Sequence, residues 1–192
     1  MNKKLSLLII SLLLVLLLGG AYMLYGHLSE SVSTDQLAGQ ATPAPEEESQ
    51  PQKSPAPDFT VYDLEGNEVH LLDYVGKPIV LNFWASWCGP CQMEMPDFQE
   101  KYLELGDEIQ FLMVNITTGR ETLESASQFI AQQGYTFPVF YDTASDAAMT
   151  YGAYSLPTTF FIDAEGCAIA KATGAISADI LQQGIDMICT PQ

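Results

Sequence analysis

Two cysteines separated by two residues, Cys88-Gly89-Pro90-Cys91, are the part of this chain best suited to covalent chemistry. Such a pair exchanges two electrons with another disulfide when one thiol is held as thiolate and the other can resolve the mixed disulfide. An apolar strand-like run directly before the pair and helical sequence directly after it place Cys88 at a helix N-terminus. Unsatisfied N–H groups and the positive end of the helix dipole favour a thiolate there. Pro90 fits the first helical turn, where its missing N–H costs nothing. The two-residue spacer lets the second thiol donate to the first. Cys88, the outer member, is the expected nucleophile, and Cys91, one turn in, the resolving thiol. A structural zinc site would need four ligands, usually two such pairs. The chain has one pair, and its two histidines, His27 and His70, lie before the domain and in its first hairpin. No metal and no cofactor are expected.

The elements that must hold the pair follow from hydrophobic patterning. Residues 59–62 and 69–71 flank Leu64-Glu65-Gly66-Asn67, a turn signal between two extended runs, which predicts a β-hairpin. Residues 78–83 form a continuous apolar strand of the kind buried on both faces. A helix is predicted over 90–105, a strand over 108–115, a helix over 121–133 ended by Gly134, and a strand over 137–141. A short helix over 144–151 precedes a second hairpin, 158–162 and 168–172, around Asp163-Ala164-Glu165-Gly166. A helix over 177–188 closes the domain. Strands alternating with helices and ending in a hairpin predict an α/β fold, a mixed sheet covered on both faces.

Trp84-Ala85-Ser86-Trp87-Cys88-Gly89-Pro90-Cys91 resembles the active-site sequence of thioredoxins. Pro96 matches the helix-kinking proline of that fold, and Ser155-Leu156-Pro157-Thr158-Thr159-Phe160 resembles its cis-proline segment. With the N-terminal hairpin and the apolar N-terminus, residues 58–192 are most similar to the TlpA/ResA-type extracytoplasmic thiol-disulfide oxidoreductases. The resemblance implies a thioredoxin-like fold with an added N-terminal hairpin and a cis Pro157 lying against the CxxC pair. It also implies a backbone at Leu156 free to pair with a substrate strand. Trp87, Gly89, Pro90, Leu156 and Pro157 are then the expected substrate-contacting residues. Two features depart from thioredoxin itself. Asn82 stands where thioredoxin has a buried Asp, so a carboxylate proton acceptor is missing from that strand. Glu94, three residues after Cys91 on the same helical face, matches a functional Glu of ResA-like proteins and is expected to take the proton of Cys91. An exposed surface Glu is the alternative.

Cys167 and Cys189 begin the last strand and end the last helix. Six strand residues at ~3.3 Å and thirteen helical residues at ~1.5 Å both span about 20 Å. An antiparallel return of the helix would bring the thiols together as a structural disulfide; two unpaired thiols are the other outcome.

Outside the domain, residues 5–25 are almost unbroken apolar sequence, long enough for a spanning helix of ~20 residues. Lys3 and Lys4 precede the run and no Lys or Arg follows closely, so the positive-inside rule leaves everything after it on the outer side. Residues 1–28 are expected to be an uncleaved transmembrane anchor, with a cleaved signal peptide as the alternative. Residues 29–57, rich in Ser, Gln, Glu, Ala and Pro, lack hydrophobic periodicity and are expected to be a disordered tether. The formal net charge is −17, with 24 acidic and 7 basic residues. A surface of that sign repels a phosphate backbone, so nucleic-acid binding is not expected.

These readings converge on a thiol-disulfide oxidoreductase at the outer face of the cell membrane. It would reduce disulfides of exported proteins, apocytochrome c being one candidate, and draw electrons from a membrane thiol carrier. Oxidase or isomerase activity would use the same residues in reverse. Thiol peroxidases share the fold, but their Pro and Thr positions hold Leu81 and Ala85 here. A non-catalytic binding module is disfavoured by the intact CxxC pair.

Overall fold

The computed structural model describes residues 54–189; the expected anchor and most of the expected tether lie outside them. No helix among the described residues is long and apolar enough to cross a membrane. The elements run β1 (Thr60–Tyr62), β2 (Glu68–His70), a 3-10 turn (Leu71–Tyr74), β3 (Ile79–Trp84), α1 (Gly89–Leu105), β4 (Gln110–Asn115) and α2 (Leu123–Gln133). They continue through β5 (Val139–Tyr141), α3 (Asp146–Tyr151), β6 (Thr158–Ile162), β7 (Ala168–Thr173) and α4 (Ala178–Cys189). The expected α/β order is therefore present, with both hairpins.

The seven strands form one mixed sheet in the order β2-β1-β5-β4-β3-β6-β7. β3 pairs parallel with β4 and antiparallel with β6, so the strand leading into the CxxC pair is central, and all six of its residues are buried. Its alternation sorts the core. Val80 and Trp84 join Phe111, Met113 and Phe161 beneath α1, α2 and α4, through Met95, Phe98, Ala126, Leu181 and Ile185. Ile79, Leu81 and Phe83 face the other way and meet Leu112, Val114, the hairpin residues Phe59 and Val61, and Ala147 and Tyr151 of α3. A central strand buried on both faces cannot slip register, because a one-residue shift would exchange its two apolar sets.

The second helix differs from expectation at its start. Glu121 is not helical: Thr122 is the N-cap, its hydroxyl accepting from the N–H of Ser125 at 3.0 Å, and the helix begins at Leu123. Gly134, with φ of 72°, closes it in the left-handed conformation that glycine adopts without penalty.

Cys167 and Cys189 are both free thiols, so the disulfide alternative is not realised. Matching a strand length to a helix length sets a distance along one axis and says nothing about which face each end occupies. Cys167 lies in the β6–β7 turn, its N–H donated to Asp163 Oδ1 at 2.8 Å and its backbone bridged to Pro55 beside Ala56. Ala56 packs in the Phe59 cluster, whereas the buried residues of α4 pack in the Trp84 cluster.

α4 approaches the sheet through Gly184, where a Cβ would collide with the ring of Phe161. Phe161 is itself only 2% exposed and cannot yield outward. Alanine would improve helix propensity by about 1 kcal/mol, but overpacking a closed core costs about 1–3 kcal/mol. Gly184→Ala is therefore expected to destabilise the domain, read as a lower guanidinium midpoint of the full-length chain. An unchanged or raised midpoint would show that Phe161 has room to move.

Candidate active site

Cys88 is the N-cap residue of α1, in extended conformation, and its Sγ accepts a hydrogen bond from the N–H of Cys91 at 3.3 Å. The capping position of a helix has thus been given to a sulfur, and a negative charge forming there faces the N–H groups of the first turn. Cys88 and Cys91 are joined as a disulfide with Cα atoms 5.3 Å apart, inside the usual range for such bonds. Cys91 is fully buried, whereas Cys88 is 5% exposed and lines a groove of about 670 Å³ that also runs past Trp87, Gly89, Pro90 and Leu156. The outer and inner assignment of the two sulfurs made from sequence matches this difference. The Leu156–Pro157 peptide is cis, as the resemblance implied, and Pro96 lies within α1. Pro157 is buried, and its carbonyl accepts from the N–H of Gly174 at 2.8 Å.

Glu94 is not a surface residue; it is 2% exposed beneath the first turns of α1. Its Oε1 accepts from Asn82 Nδ2 at 2.8 Å and its Oε2 from the N–H of Ile176 at 2.9 Å. Burial pushes its carboxyl up to about 7, against the opposing effect of those two hydrogen bonds. Asn82 also donates to Thr159 Oγ1 at 3.0 Å, while its own Oδ1 has no partner among the described residues. The position therefore links three elements, with Asn82 from β3, Glu94 from α1 and Thr159 from β6. A carboxyl group whose proton leaves near neutral pH suits general acid–base work.

A second buried carboxylate was not identified from sequence. Glu121, 3% exposed, accepts from the N–H of Ser86 at 3.0 Å, from the Ser86 hydroxyl at 2.9 Å and from Asn115 Nδ2 at 3.1 Å. It ties the segment carrying Cys88 to the end of β4. Its neighbour Arg120 lays its guanidinium over the Trp87 ring, 3.7 Å from the centroid. Asn115 and Glu121, six residues apart across a strand-to-helix connection, offered a weak signal; an acidic residue just ahead of a helical run reads most simply as part of the helix's first turn.

A central sheet, a disulfide-bonded CxxC pair at a helix N-terminus, a cis proline and a buried carboxyl define a thiol-disulfide oxidoreductase of thioredoxin-like fold. Residues 53–170 match the AhpC/TSA family. The chain is 38% identical over 136 residues to the thiol-disulfide oxidoreductase ResA of Geobacillus thermodenitrificans, covering 70% of this chain and 76% of that protein. It is 33% identical over 132 residues to the thioredoxin-like protein YneN of Bacillus subtilis, covering 69% and 77%. Among solved structures, a thiol:disulfide interchange protein DsbE of Chlorobium tepidum superposes with a TM-score of 0.62 at 32% identity, over 69% of this chain and 94% of that one. The chain belongs to the ResA-like thiol-disulfide oxidoreductases of the thioredoxin superfamily.

Proposed function

We propose that this protein is a membrane-anchored reductase of disulfides in exported proteins, apocytochrome c being one candidate substrate, with residues 1–28 as anchor, 29–57 as tether and 58–192 as catalytic domain. The observation that carries the reading is the unequal placement of the two sulfurs. One lines an open groove at a helix N-terminus, and the other is buried behind it, on the helix that carries the buried carboxyl of Glu94.

In the reduced protein the Cys88 thiolate attacks one sulfur of the substrate disulfide. A bond forms between that sulfur and Cys88, the substrate's own S–S bond breaks, and its second sulfur leaves as a thiolate that takes a proton from solvent. Cys91 then gives its proton to Glu94 and attacks the Cys88 sulfur. The intramolecular disulfide forms and the remaining substrate sulfur departs. Two electrons have passed from the protein dithiol to the substrate. A membrane thiol carrier returns them by the same exchange in reverse. Trp87, Gly89, Pro90 and Leu156 line the groove with the attacking sulfur and form the substrate-contacting surface, and Leu156 is joined to Pro157 by the cis peptide. The extracytoplasmic placement rests on the apolar run at residues 5–25 and the charges that flank it.

The decisive measurement is the reduction potential of the full-length chain, equilibrated in graded dithiol/disulfide buffers and followed by the fluorescence of Trp84 and Trp87. A Gly-Pro spacer resembles that of thioredoxin, so a value at or below ~ −250 mV is expected. A value above ~ −180 mV would overturn the reductase direction and make the protein a disulfide donor or isomerase.

A further inference from the structure

The groove beside Cys88 is chemically unlike the rest of the molecule. The chain's formal charge is −17, yet no Asp or Glu lines this groove among the described residues, and its one charge is Arg120, the only arginine in the sequence. Its walls are mostly apolar, with Thr118 and Ser145 the polar exceptions besides Arg120. Trp87 is 46%, Met149 66% and Tyr154 80% exposed, and these large side chains face water at the one place where Cys88 reaches the surface. Exposed apolar side chains grouped around a reactive atom mark a recognition surface more often than isolated ones do.

Arg120 adds direction to that surface. Its guanidinium stacks on Trp87, and no ion pair joins it to a described carboxylate. Stacking occupies the face of the guanidinium plane and leaves the N–H groups at its edge free for a planar acceptor. Glu121, next in the chain, directs its carboxylate inward to Ser86 and Asn115 and does not neutralise its neighbour. Long-range repulsion from the acidic domain is screened over a Debye length of ~8 Å at physiological salt. A carboxylate in contact with Arg120 keeps its attraction.

We propose that this groove selects the substrate. It takes an extended segment bearing the target cysteine, with a large apolar side chain beside that cysteine seated against Met149 and Tyr154, and with an Asp or Glu nearby paired to Arg120. The inference rests on the reading of the chain as a disulfide reductase and names the class of substrate it acts on. Arg120 is a specificity-determining residue, and cationic flanks on a substrate are disfavoured at the position it faces.

The test uses the reduced full-length chain and a set of disulfide-closed synthetic peptides with Phe beside the attacked cysteine. A single Glu, or Gln in its place, is walked through the three positions on either side. The readout is the Glu/Gln ratio of kcat/KM at each position, which cancels any general loss of turnover in a variant. A ratio of about five is expected at one or two positions, the size of a well-placed surface ion pair. It should fall to about one in Arg120→Gln, persist in part in Arg120→Lys and drop below one in Arg120→Glu. A ratio near one at every position in the wild type, or one unchanged by Arg120→Gln, would overturn the proposal while leaving the reductase reading intact. Absence of turnover on all peptides and on neutral 2-hydroxyethyl disulfide would overturn the reductase reading and this proposal with it.

Discussion

Cys91→Ser is expected to accumulate a covalent adduct between Cys88 and a disulfide substrate, approaching one adduct per chain, while Cys88→Ser forms none and loses turnover to the uncatalysed background. The asymmetry comes from placement. Cys88 caps α1 and lines the groove, so it can be reached and its thiolate is favoured; Cys91 is fully buried and can be reached only by the neighbouring sulfur. Removing the inner thiol therefore leaves attack intact and blocks resolution. Removing the outer one blocks both, because no substrate sulfur can approach Cys91. The exposed thiol outside the pair does not spoil the experiment. Cys189 is exposed, but partial burial and the nearby carboxylates of Asp186 and Glu108 push its thiol up, so less of it is thiolate at neutral pH. Non-reducing electrophoresis with mass mapping of the adduct decides the matter. Equal adduct formation by both variants would show that the inner sulfur is accessible, and the order of the two steps would have to be abandoned.

What could be read before the structure was known divides along a physical line. A buried central strand announces itself, because both faces must be apolar; residues 78–83 therefore marked β3 to within a residue. Both hairpins were legible in the turn sequences Leu64-Glu65-Gly66-Asn67 and Asp163-Ala164-Glu165-Gly166, since tight turns demand particular residues locally. The CxxC pair was legible for the same reason: strand, cap and helix are contiguous in the chain. Features that depend on two distant segments meeting were harder to see. Glu121 reads as the first turn of a helix until the connection after β4 folds back on Ser86. Nothing in the local sequence marks Arg120, which gains its place only where Trp87 lies under it. Asn82 reads as the loss of a carboxylate, whereas in the fold it is the donor that holds Glu94 and Thr159 together. Cys167 and Cys189, for which both outcomes were open, are unpaired: a matched length along one axis does not decide whether two chain ends meet.

Glu94→Gln is expected to stabilise the oxidised protein above neutral pH and to leave it unchanged in acid. The sign follows from proton binding. The unfolded chain gives up the Glu94 proton near its ordinary value of 4.5, whereas the folded chain keeps it until about 7. Between those values the folded state binds more protons than the unfolded one, so stability falls as pH rises. Below 4.5 both states are protonated and the residue contributes nothing; above 7 both are ionised and the penalty of the buried charge is complete. At 1.36 kcal/mol per pKa unit the penalty is about 3 kcal/mol. Glutamine carries no charge at any pH and can keep the local bonding. Its amide oxygen can accept from Ile176, and its amide nitrogen can donate to the Oδ1 of Asn82, which has no described partner, after the Asn82 amide turns over. Other shifted carboxyls, such as Asp142, whose burial also raises it, contribute equally to both proteins and cancel in the difference. Guanidinium unfolding of the oxidised full-length chains from pH 4 to 8, followed by tryptophan fluorescence, should give curves that coincide at pH 4 and separate by about 3 kcal/mol at pH 8. The same substitution should slow release of the substrate from its mixed disulfide with Cys88 and remove the step near pH 7 from that rate. A stability gain without that kinetic change would leave Glu94 as a buried charge with no part in the proton's path; parallel stability curves would mean that Glu94 titrates in the folded protein as it does in the unfolded chain, and a step near pH 7 in the release rate could not then be assigned to it.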